Sequence, residues 1–462
     1  MIRPLSGRLV FLVAFDSVLI VCAVAAAAFA RLGTFAWSVV LFDGGILKTL
    51  LLAGVTQACL YYADLYNFRI VADRRELFIR ILQAIGTASL ILAAIYYWFE
   101  GMIIGRGVFL IAAVFEFTLV VGWRLTFDWL GQHVAPSERL LIVGTSAAAV
   151  TLGRELFDRR AELGISIVGF VDPDPVRVGE PVINPGVIGS VDDIPAIVRD
   201  HHVDRVVVSL ADARGKLPMY KLLEMKIGRG VSFDHLATIY EQYTGKIAVE
   251  NLRPSWLIFS EGFRTSALFR ATKRAIDLVL SAIGLIVLSP VLLIVAMLVK
   301  VTSPGPVLFH QRRVGLNGQL FTVHKVRSMW ADAEAHTGAV WATPEDPRAT
   351  RVGLFLRRTR LDEIPQLWNV LVGEMSLVGP RPERPEFIAH LAGNIPYYGL
   401  RHGVRPGLTG WAQVRYTYAA NVEDHLEKLQ YDLFYVKHLS ILFDLFILFA
   451  TVKTVLLRRG GQ

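Results

Sequence analysis

RRTRLDEIPQLWNVL, Arg357 to Leu371, sets two adjacent carboxylates, Asp362 and Glu363, between a basic run and an apolar one. Ile364, Leu367, Trp368 and Leu371 recur at i, i+3, i+4 and i+7, the period of an amphipathic helix. Pro365 is tolerated only in a first turn, so the spacing predicts a helix beginning at about Asp362. Both carboxylates then sit at a helix N-terminus behind Arg357, Arg358 and Arg360, where exposed N–H groups and the helix dipole favour anions. The place suits phosphate or a metal–phosphate pair. Taken alone, the spacing also fits an N-cap aspartate inside a solvated charge run. The rest of the chain decides between the two.

The chain has 462 residues, 53% of them hydrophobic, with mean hydropathy +0.46, too apolar for an ordinary soluble protein. A net charge of +8 beside membrane segments points to an anionic membrane face and anionic substrates, not to nucleic acid. Cys22 and Cys59 both lie in apolar runs, which leaves no disulfide framework and no thiolate zinc site. No small-residue cleavage site follows the first apolar run, so an anchor is expected there.

Four apolar runs, at about 9–30, 46–66, 78–99 and 108–127, each match the thickness of a bilayer core. Arg3 and Arg8 precede the first, and Arg69, Arg74, Arg75 and Arg80 cluster between the second and third. The other loops carry only Arg31, Lys48 and Arg106, so both ends of a four-helix transmembrane bundle (1–135) are expected on the cytoplasmic side. Asp16 and Glu116 lie inside runs and are read first as solvated or helix-bridging groups.

From Glu138 the composition turns soluble. RLLIVG, ISIVGFVD, DRVVVSL and VSFDH read as strands separated by helical segments, one of them near 216–227. The alternation predicts a Rossmann-like parallel sheet over 136–262. Its first turn reads Gly144-Thr-Ser-Ala-Ala-Ala149. Ser146 and Ala149 replace the second and third glycines of a dinucleotide fingerprint and crowd a pyrophosphate. A structural or regulatory domain is expected, not a cofactor site.

A fifth apolar run, 275–299, carries Ser289-Pro290 near its middle and basic residues at both ends. A spanning helix would strand one cluster on the outside. A re-entrant helix–break–helix satisfies both the proline and the charges. Beyond it, VLFHQRRVG and LFTVHKVRSM flank Asn317-Gly318, a hairpin signal with a loop longer than two residues among the options. Lys325, Arg327, Arg357, Arg381 and Arg405 lie in short segments broken by Gly and Pro, and many cations around a carboxylate pair resemble a phosphate pocket.

The segments KRAIDLVLSAIGLIVLSP, GPVLFHQRRVGLNGQLFTVHKVRSM, LRRTRLDEIPQLWNVLVGEMSLVGPRP, VRPGLTGWAQV and YDLFYVKHLS come in one order over some 190 residues. In that order they resemble the catalytic domain of bacterial sugar transferases, the monotopic phosphoglycosyl transferases that initiate polysaccharide synthesis. The resemblance implies a catalytic α/β domain at 263–462 following the membrane bundle and the Rossmann-like domain. It implies transfer of a sugar 1-phosphate from a UDP-sugar, glucose or galactose, to undecaprenyl phosphate, with release of UMP. It places the protein in the bacterial inner membrane with both soluble domains cytoplasmic. Asp362 would be the nucleophile of a phosphosugar–aspartate intermediate, and Glu363 would help it hold Mg²⁺ or assist the incoming lipid phosphate. Lys325, Arg327, Arg357, Arg381 and Arg405 fall on basic motif positions, Gln413 belongs to the same motif, and Ser289 and Pro290 match the break of the re-entrant helix.

Two departures remain. Arg415-Tyr-Thr-Tyr-Ala-Ala-Asn421 follows GWAQV where many relatives carry an Asn-Gly-Arg-Asn-like segment, which resembles the subset associated with exopolysaccharides. Lys437-His438 stands where an asparagine often follows the lysine. Leu439 to Leu457 reads as a helix at the cytoplasmic interface, because Asp444, Lys453, Arg458 and Arg459 punctuate it. The alternatives are a non-catalytic export scaffold, which leaves the Asp-Glu pair unexplained, and a nucleotide-sugar epimerase or dehydratase. The latter needs an intact glycine turn and a Tyr-x-x-x-Lys pair. Tyr243 and Lys246 are three apart. A homodimer through the N-terminal half is an expected partnership.

Overall fold

The computed structural model describes residues 7–66, 74–133, 138–158, 160–183, 185–209, 219–249, 262–263, 266–333, 346–416 and 421–456. Arg3, Arg69, Arg458 and Arg459 and positions 417–420 lie outside them. The chain forms two compact units, divided between Ile239 and Tyr240.

In the first unit the apolar runs form four long helices, Gly7–Leu32, Gly45–Tyr62, Arg74–Trp98 and Arg106–His133. Ile20, Leu52, Leu60, Ile81, Leu92 and Val120 share a core, while Leu47, Leu82, Leu90, Leu110 and Val114 face outward. Helices apolar both inside and outside suit lipid as solvent, because each satisfies its own backbone hydrogen bonds. With Ala267–Thr302 they make five described helices long and apolar enough to cross a membrane.

Asp16 finds a partner that the sequence reading passed over, Arg124 in the fourth run. Its Nη2 lies 2.6 Å from Asp16 Oδ2, and both side chains are buried. Tyr66 OH donates to the same oxygen at 2.9 Å, and Arg124 Nη1 donates to the Leu65 carbonyl at 2.7 Å. Glu116 Oε2 accepts from Thr56 Oγ1 at 3.5 Å, a bond between helices as expected. Removing one partner of a buried ion pair strands the other. Arg124→Ala should therefore cost about 3–5 kcal/mol, and the Asp16→Asn/Arg124→Gln double variant should recover most of it. Thermal unfolding in detergent checks this; equal melting of the single and double variants would contradict it.

The α/β part of this unit is a five-stranded parallel sheet. Its strands are β1 (Glu138–Val143), β2 (Ile165–Asp172), β3 (Val187–Ser190), β4 (Arg205–Val208) and β5 (Ser232–His235), in the order β3-β2-β1-β4-β5. Leu140 to Val143 are wholly buried, as in a sheet covered on both faces. The sequence reading found four of the strands and missed β3, whose four residues carry two glycine-flanked apolar positions too short for a periodic signal. The helix expected near 216–227 is described from Met219 to Arg229; its start lies outside the described residues. At the degenerate turn Gly144 has φ +103°, Ser146 Oγ accepts from Ala149 N at 3.3 Å, and Thr145 Oγ1 donates to Asp172 Oδ2. Thr145 is thereby tied to Asp172 at the end of β2.

The second unit is built on a core of Val323, Leu367, Val370, Leu377, Trp411, Leu433, Phe434 and Ile447. The re-entrant reading expected two helices broken at Ser289-Pro290. Instead Ala267–Thr302 runs as one helix of 36 residues with Pro290 inside. The physical reason is local. Pro290 cannot donate to the carbonyl four residues back, that of Ile286, and Ser289 Oγ donates to that same carbonyl at 2.7 Å. One face of this helix lies on the unit, through Asp277, Ser281, Leu285, Leu288, Leu292, Val295 and Val299, while Ile283, Ile286, Val287, Ile294, Met297 and Val301 are exposed. Near its start Arg274 donates to the carbonyls of Val370 and Leu371 at 2.6 and 2.8 Å, and Asp277 Oδ1 accepts from Leu377 N at 3.0 Å. Beyond its end Ser303 is held by Arg327.

The last described helix, Ile441–Leu456, buries Phe443, Asp444, Ile447 and Ala450 on one side and exposes Leu442, Leu445, Phe449 and Val452 on the other. Asp444 Oδ2 takes Lys273 Nζ at 2.6 Å, and Tyr435 OH donates to Oδ1 at 2.8 Å.

Candidate functional site

The site grows from three short pieces. β6 (Leu308–Val314) and β7 (Leu320–Val326) form an antiparallel hairpin whose loop, Gly315–Gln319, needs positive φ at Asn317 and Gly318. Alternation along β7 puts Lys325 on the face that carries Arg313 on β6. The helix Arg351–Thr359 is capped by Thr350, whose Oγ1 accepts from Gly353 N at 2.9 Å, and it stops at Arg360, in the left-handed region at φ +60°. That stop sets Leu361–Glu363 in a single 3-10 turn before the helix Gln366–Val372.

The helix thus starts at Gln366, four residues later than the sequence predicts, with Pro365 as its N-cap. Asp362 and Glu363 occupy the turn between two helices, both buried, and no side-chain cap is made there. The solvated N-cap reading fails on that burial. The predicted apolar stripe also shifts. Ile364 and Leu367 are buried, but Trp368 is 52% exposed, and Asn369 and Val370 are wholly buried. Asn369 can be buried because its Nδ2 donates to Thr322 O and Glu374 Oε2, both at 2.7 Å, and its Oδ1 accepts from His324 N at 3.1 Å.

Three cations converge on one oxygen. Glu363 Oε1 lies 2.6 Å from Arg381 Nη2, 3.4 Å from Arg360 Nη1 and 3.5 Å from Lys325 Nζ. Burial alone would raise the Glu363 carboxyl, but Arg381, Lys325 and Arg360 hold it well below the usual range. Asp362 differs. Burial, then the neighbouring Glu363 charge, pushes it up to about 6, and its Oδ1 is buried without a hydrogen-bond partner among the described residues. Burial lowers Lys325 to about 8. Adjacent carboxylates thus hold different states, one permanently ionised and clamped, one poised near neutrality with an open oxygen.

The residues predicted for the site divide. Lys325 and Arg381 join the carboxylate pair. Arg357 stands in the last turn of the helix Arg351–Thr359, where burial depresses its guanidinium against the pull of Asp346 and Asp362. Arg327 is elsewhere. It is buried, and it donates to Pro304 O at 2.5 Å and to Ser303 O and Oγ at 2.9 Å, locking the end of the long helix. Arg405 is exposed and is not among the partners of Glu363, although its segment touches the Arg381 loop. A Cβ on Gly379 would lie 2.4 Å from Arg405 O, and one on Gly410 would lie 2.2 Å from Gly379 O, so the glycines let SLVGPRP and RPGLTG press together. Gln413 Nε2 donates to Leu408 O at 3.3 Å, and its Oε1 is buried without a partner among the described residues. Ser289 and Pro290 lie in the helix Ala267–Thr302 and are not among the partners of Glu363.

Sequence reasoning missed the groups that hold the Arg381 loop. Arg401 donates to Arg381 O at 3.0 Å and pairs with Asp432 at 2.7 Å; Arg313 donates to Pro382 O at 3.0 Å. Arg360 was read only as part of the charge run. Arg313 lies in the quoted motif FHQRRVG and Asp432 in YDLFYV, so the signal was present, but no spacing tied either to Arg381.

The carboxylate pair suits Mg²⁺. No three His, Cys, Asp or Glu side chains gather among the described residues, so the protein offers two carboxylates at most. That donor set matches a hard cation completed by substrate phosphates and water, and the open Asp362 Oδ1 is the atom available for it.

The profile of the bacterial sugar transferase family matches residues 268–458, and one described as a CoA-binding domain matches residues 62–216. The chain is 35% identical over 340 residues to a UDP-glucose:undecaprenyl-phosphate glucose-1-phosphate transferase of Escherichia coli (strain K12), covering 71% of this chain and 70% of the relative. It is 32% identical over 386 residues to the protein of the same description in Xanthomonas campestris pv. campestris, covering 76% and 78%. It is 41% identical over 228 residues to a UDP-N-acetylgalactosamine-undecaprenyl-phosphate N-acetylgalactosaminephosphotransferase of Aeromonas hydrophila, covering 49% of this chain and only 53% of that relative. With two relatives more than 30% identical matched over more than two thirds of their length, and the family profile matched over 268–458, the chain belongs to the bacterial sugar transferase family.

Proposed function

We propose that this membrane protein is a phosphoglycosyl transferase that moves a sugar 1-phosphate from a UDP-sugar to undecaprenyl phosphate and releases UMP, the first membrane step of exopolysaccharide synthesis. The observation that carries the reading is the split carboxylate pair. Glu363 is bound by three cations, while the adjacent Asp362 keeps a buried, unpartnered oxygen. A scaffold has no use for that arrangement. The epimerase alternative loses its pair as well, since Lys246 is engaged by Glu427 at 2.8 Å.

The chemistry has two displacements. An Asp362 carboxylate oxygen attacks the phosphorus bonded to the sugar oxygen; the new O–P bond forms as the phosphoanhydride breaks and UMP leaves with its electron pair. A phosphate oxygen of undecaprenyl phosphate then attacks the same phosphorus, the Asp362–phosphorus bond breaks, and the carboxylate is regenerated. Two steps let a soluble donor and a lipid acceptor use the site in turn. Lys325, Arg360 and Arg381 neutralise the phosphate oxygens that the carboxylate must approach, with Arg357 beside them. Asp362 and Glu363 would hold Mg²⁺, which when bound neutralises the diphosphate. The relatives described above act on glucose and N-acetylgalactosamine donors; UDP-glucose and UDP-galactose head the panel for this chain.

Both ends of the helix Ala267–Thr302 are tied to the same unit, and its other face is apolar and exposed, which supports a helix seated in the cytoplasmic leaflet of the inner membrane. Trp368 and Phe355, also exposed, suit that boundary. The Rossmann-like sheet, with Thr145 of its first turn tied to Asp172, serves structure or regulation on the cytoplasmic side.

UMP release by purified protein with Mg²⁺ and undecaprenyl phosphate, across a panel of UDP-sugars, tests the reading; silence with every sugar from folded protein would end it. The pH profile tests the site. kcat/KM should rise as Asp362 ionises near pH 6 and fall as Lys325 loses its proton near pH 8. Lys325→Arg should move the alkaline limb upward by two units or more, since arginine stays charged, and leave the acid limb in place. An unmoved alkaline limb would remove Lys325 from the role.

A further inference from the structure

His310 and His324 face each other across the β6–β7 hairpin as direct cross-strand partners. Their Nδ1 atoms are 2.8 Å apart, the His310 ring is exposed, and the rings are nearly perpendicular. Alternation puts this pair on the face opposite Lys325, so it takes no part in the site described above. We propose that the two imidazoles form a transition-metal site of the Cu²⁺ or Ni²⁺ class.

The geometry selects the metal. With metal–nitrogen bonds of about 2.0–2.1 Å, nitrogens 2.8 Å apart subtend close to a right angle at the ion. Cis positions of a tetragonal or octahedral centre have that angle; a tetrahedral zinc site needs nitrogens about 3.3 Å apart. In the hydrogen bond between them one ring donates its Nδ1 proton to the other. Metal binding requires both Nδ1 lone pairs, so that proton moves to Nε2 of the same ring, and each ring turns off the Nδ1–Nδ1 axis, by about 45°, to aim its lone pair at one point. No third His, Cys, Asp or Glu joins them among the described residues, so water completes the shell. Bound metal would cross-link the two strands.

The test titrates Ni²⁺, and separately Cu²⁺ and Zn²⁺, into the full-length protein in detergent, purified with an affinity tag free of histidine. One site per chain is expected, with Cu²⁺ and Ni²⁺ both tighter than Zn²⁺. His310→Ala and His324→Ala should each weaken binding at least about tenfold, since losing even an outer-shell partner costs that much. His201→Ala/His202→Ala should not. Amide exchange over 308–326 should slow with Ni²⁺ in the wild type and not in His310→Ala; because His310 is exposed, that variant keeps the fold. Zn²⁺ binding tightest, binding unaffected by either substitution, or no binding below millimolar metal would each overturn the site.

Discussion

Asp362→Asn is expected to abolish UMP release, by about 10⁴-fold or more, the scale on which removal of a covalent nucleophile acts, while leaving the fold intact. Asparagine matches aspartate in shape, and the oxygen it alters has no partner to lose among the described residues. Stability should even rise. The folded-state pKa of Asp362, about 6, lies above the ordinary value near 4. Ionising it in the folded protein therefore costs stability, fully so above pH 6 and not at all below pH 4. The variant should melt higher than wild type at pH 7.5 and equal to it at pH 4. Transfer of label from a UDP-sugar labelled in the sugar-linked phosphate onto the protein should disappear along with release. An Asp362→Asn protein that still releases UMP would take the covalent step away from this residue; one that is inactive and melts far below wild type would leave a structural role as the explanation.

Much of this site was legible because its residue types are chemically dear. Two adjacent carboxylates among arginines are hard to explain as surface, and the quoted segments tie them to Lys325 and Arg381. What the sequence could not give was direction. Arg327 follows the end of β7, two residues past Lys325, yet Lys325 reaches Glu363 while Arg327 turns back to hold Ser303. Spacing does not say which cation is spent on the fold. The helix boundary failed for a similar reason. Arg360 adopts a left-handed conformation and cuts a separate turn out of what reads as one continuous amphipathic segment. At Ser289-Pro290 the serine hydroxyl donates to the carbonyl that the proline leaves without a donor, and the helix continues through the pair. In the membrane part, four helices followed from hydropathy alone, but the Asp16–Arg124 pair joins residues 108 positions apart, and no local pattern links them.

The second compact unit begins at Tyr240, ahead of the expected start at 263, and that has the second large consequence. Residues Tyr240 to Val249 read as the end of the Rossmann-like domain, yet they are part of the second unit. Ile247 and Val249 are each 1% exposed in its core. Glu241 takes Lys437 at 2.7 Å and His438 as well, which accounts for the histidine at that position. Gly245 O accepts from Trp411 Nε1 at 3.0 Å, beneath the GWAQ motif, and Lys246 pairs with Glu427. A fragment beginning at residue 263, as family resemblance suggests, would lose two buried aliphatic side chains, at about 1.5–3 kcal/mol each, and would leave Trp411 Nε1 buried without an acceptor, at about 1–3 kcal/mol more. The sum approaches the whole stability of an ordinary domain, about 5–15 kcal/mol. The fragment from 263 should therefore aggregate or fail to release UMP, whereas one beginning at Tyr240 should fold and retain activity. In the full chain Trp411→Ala should cost about 3–5 kcal/mol and lower UMP release, with Glu241→Gln milder because His438 and Lys437 keep a neutral acceptor. Equal activity and melting of the two fragments would show that the segment only lies against the core; a difference between them would make it the first element of the catalytic domain.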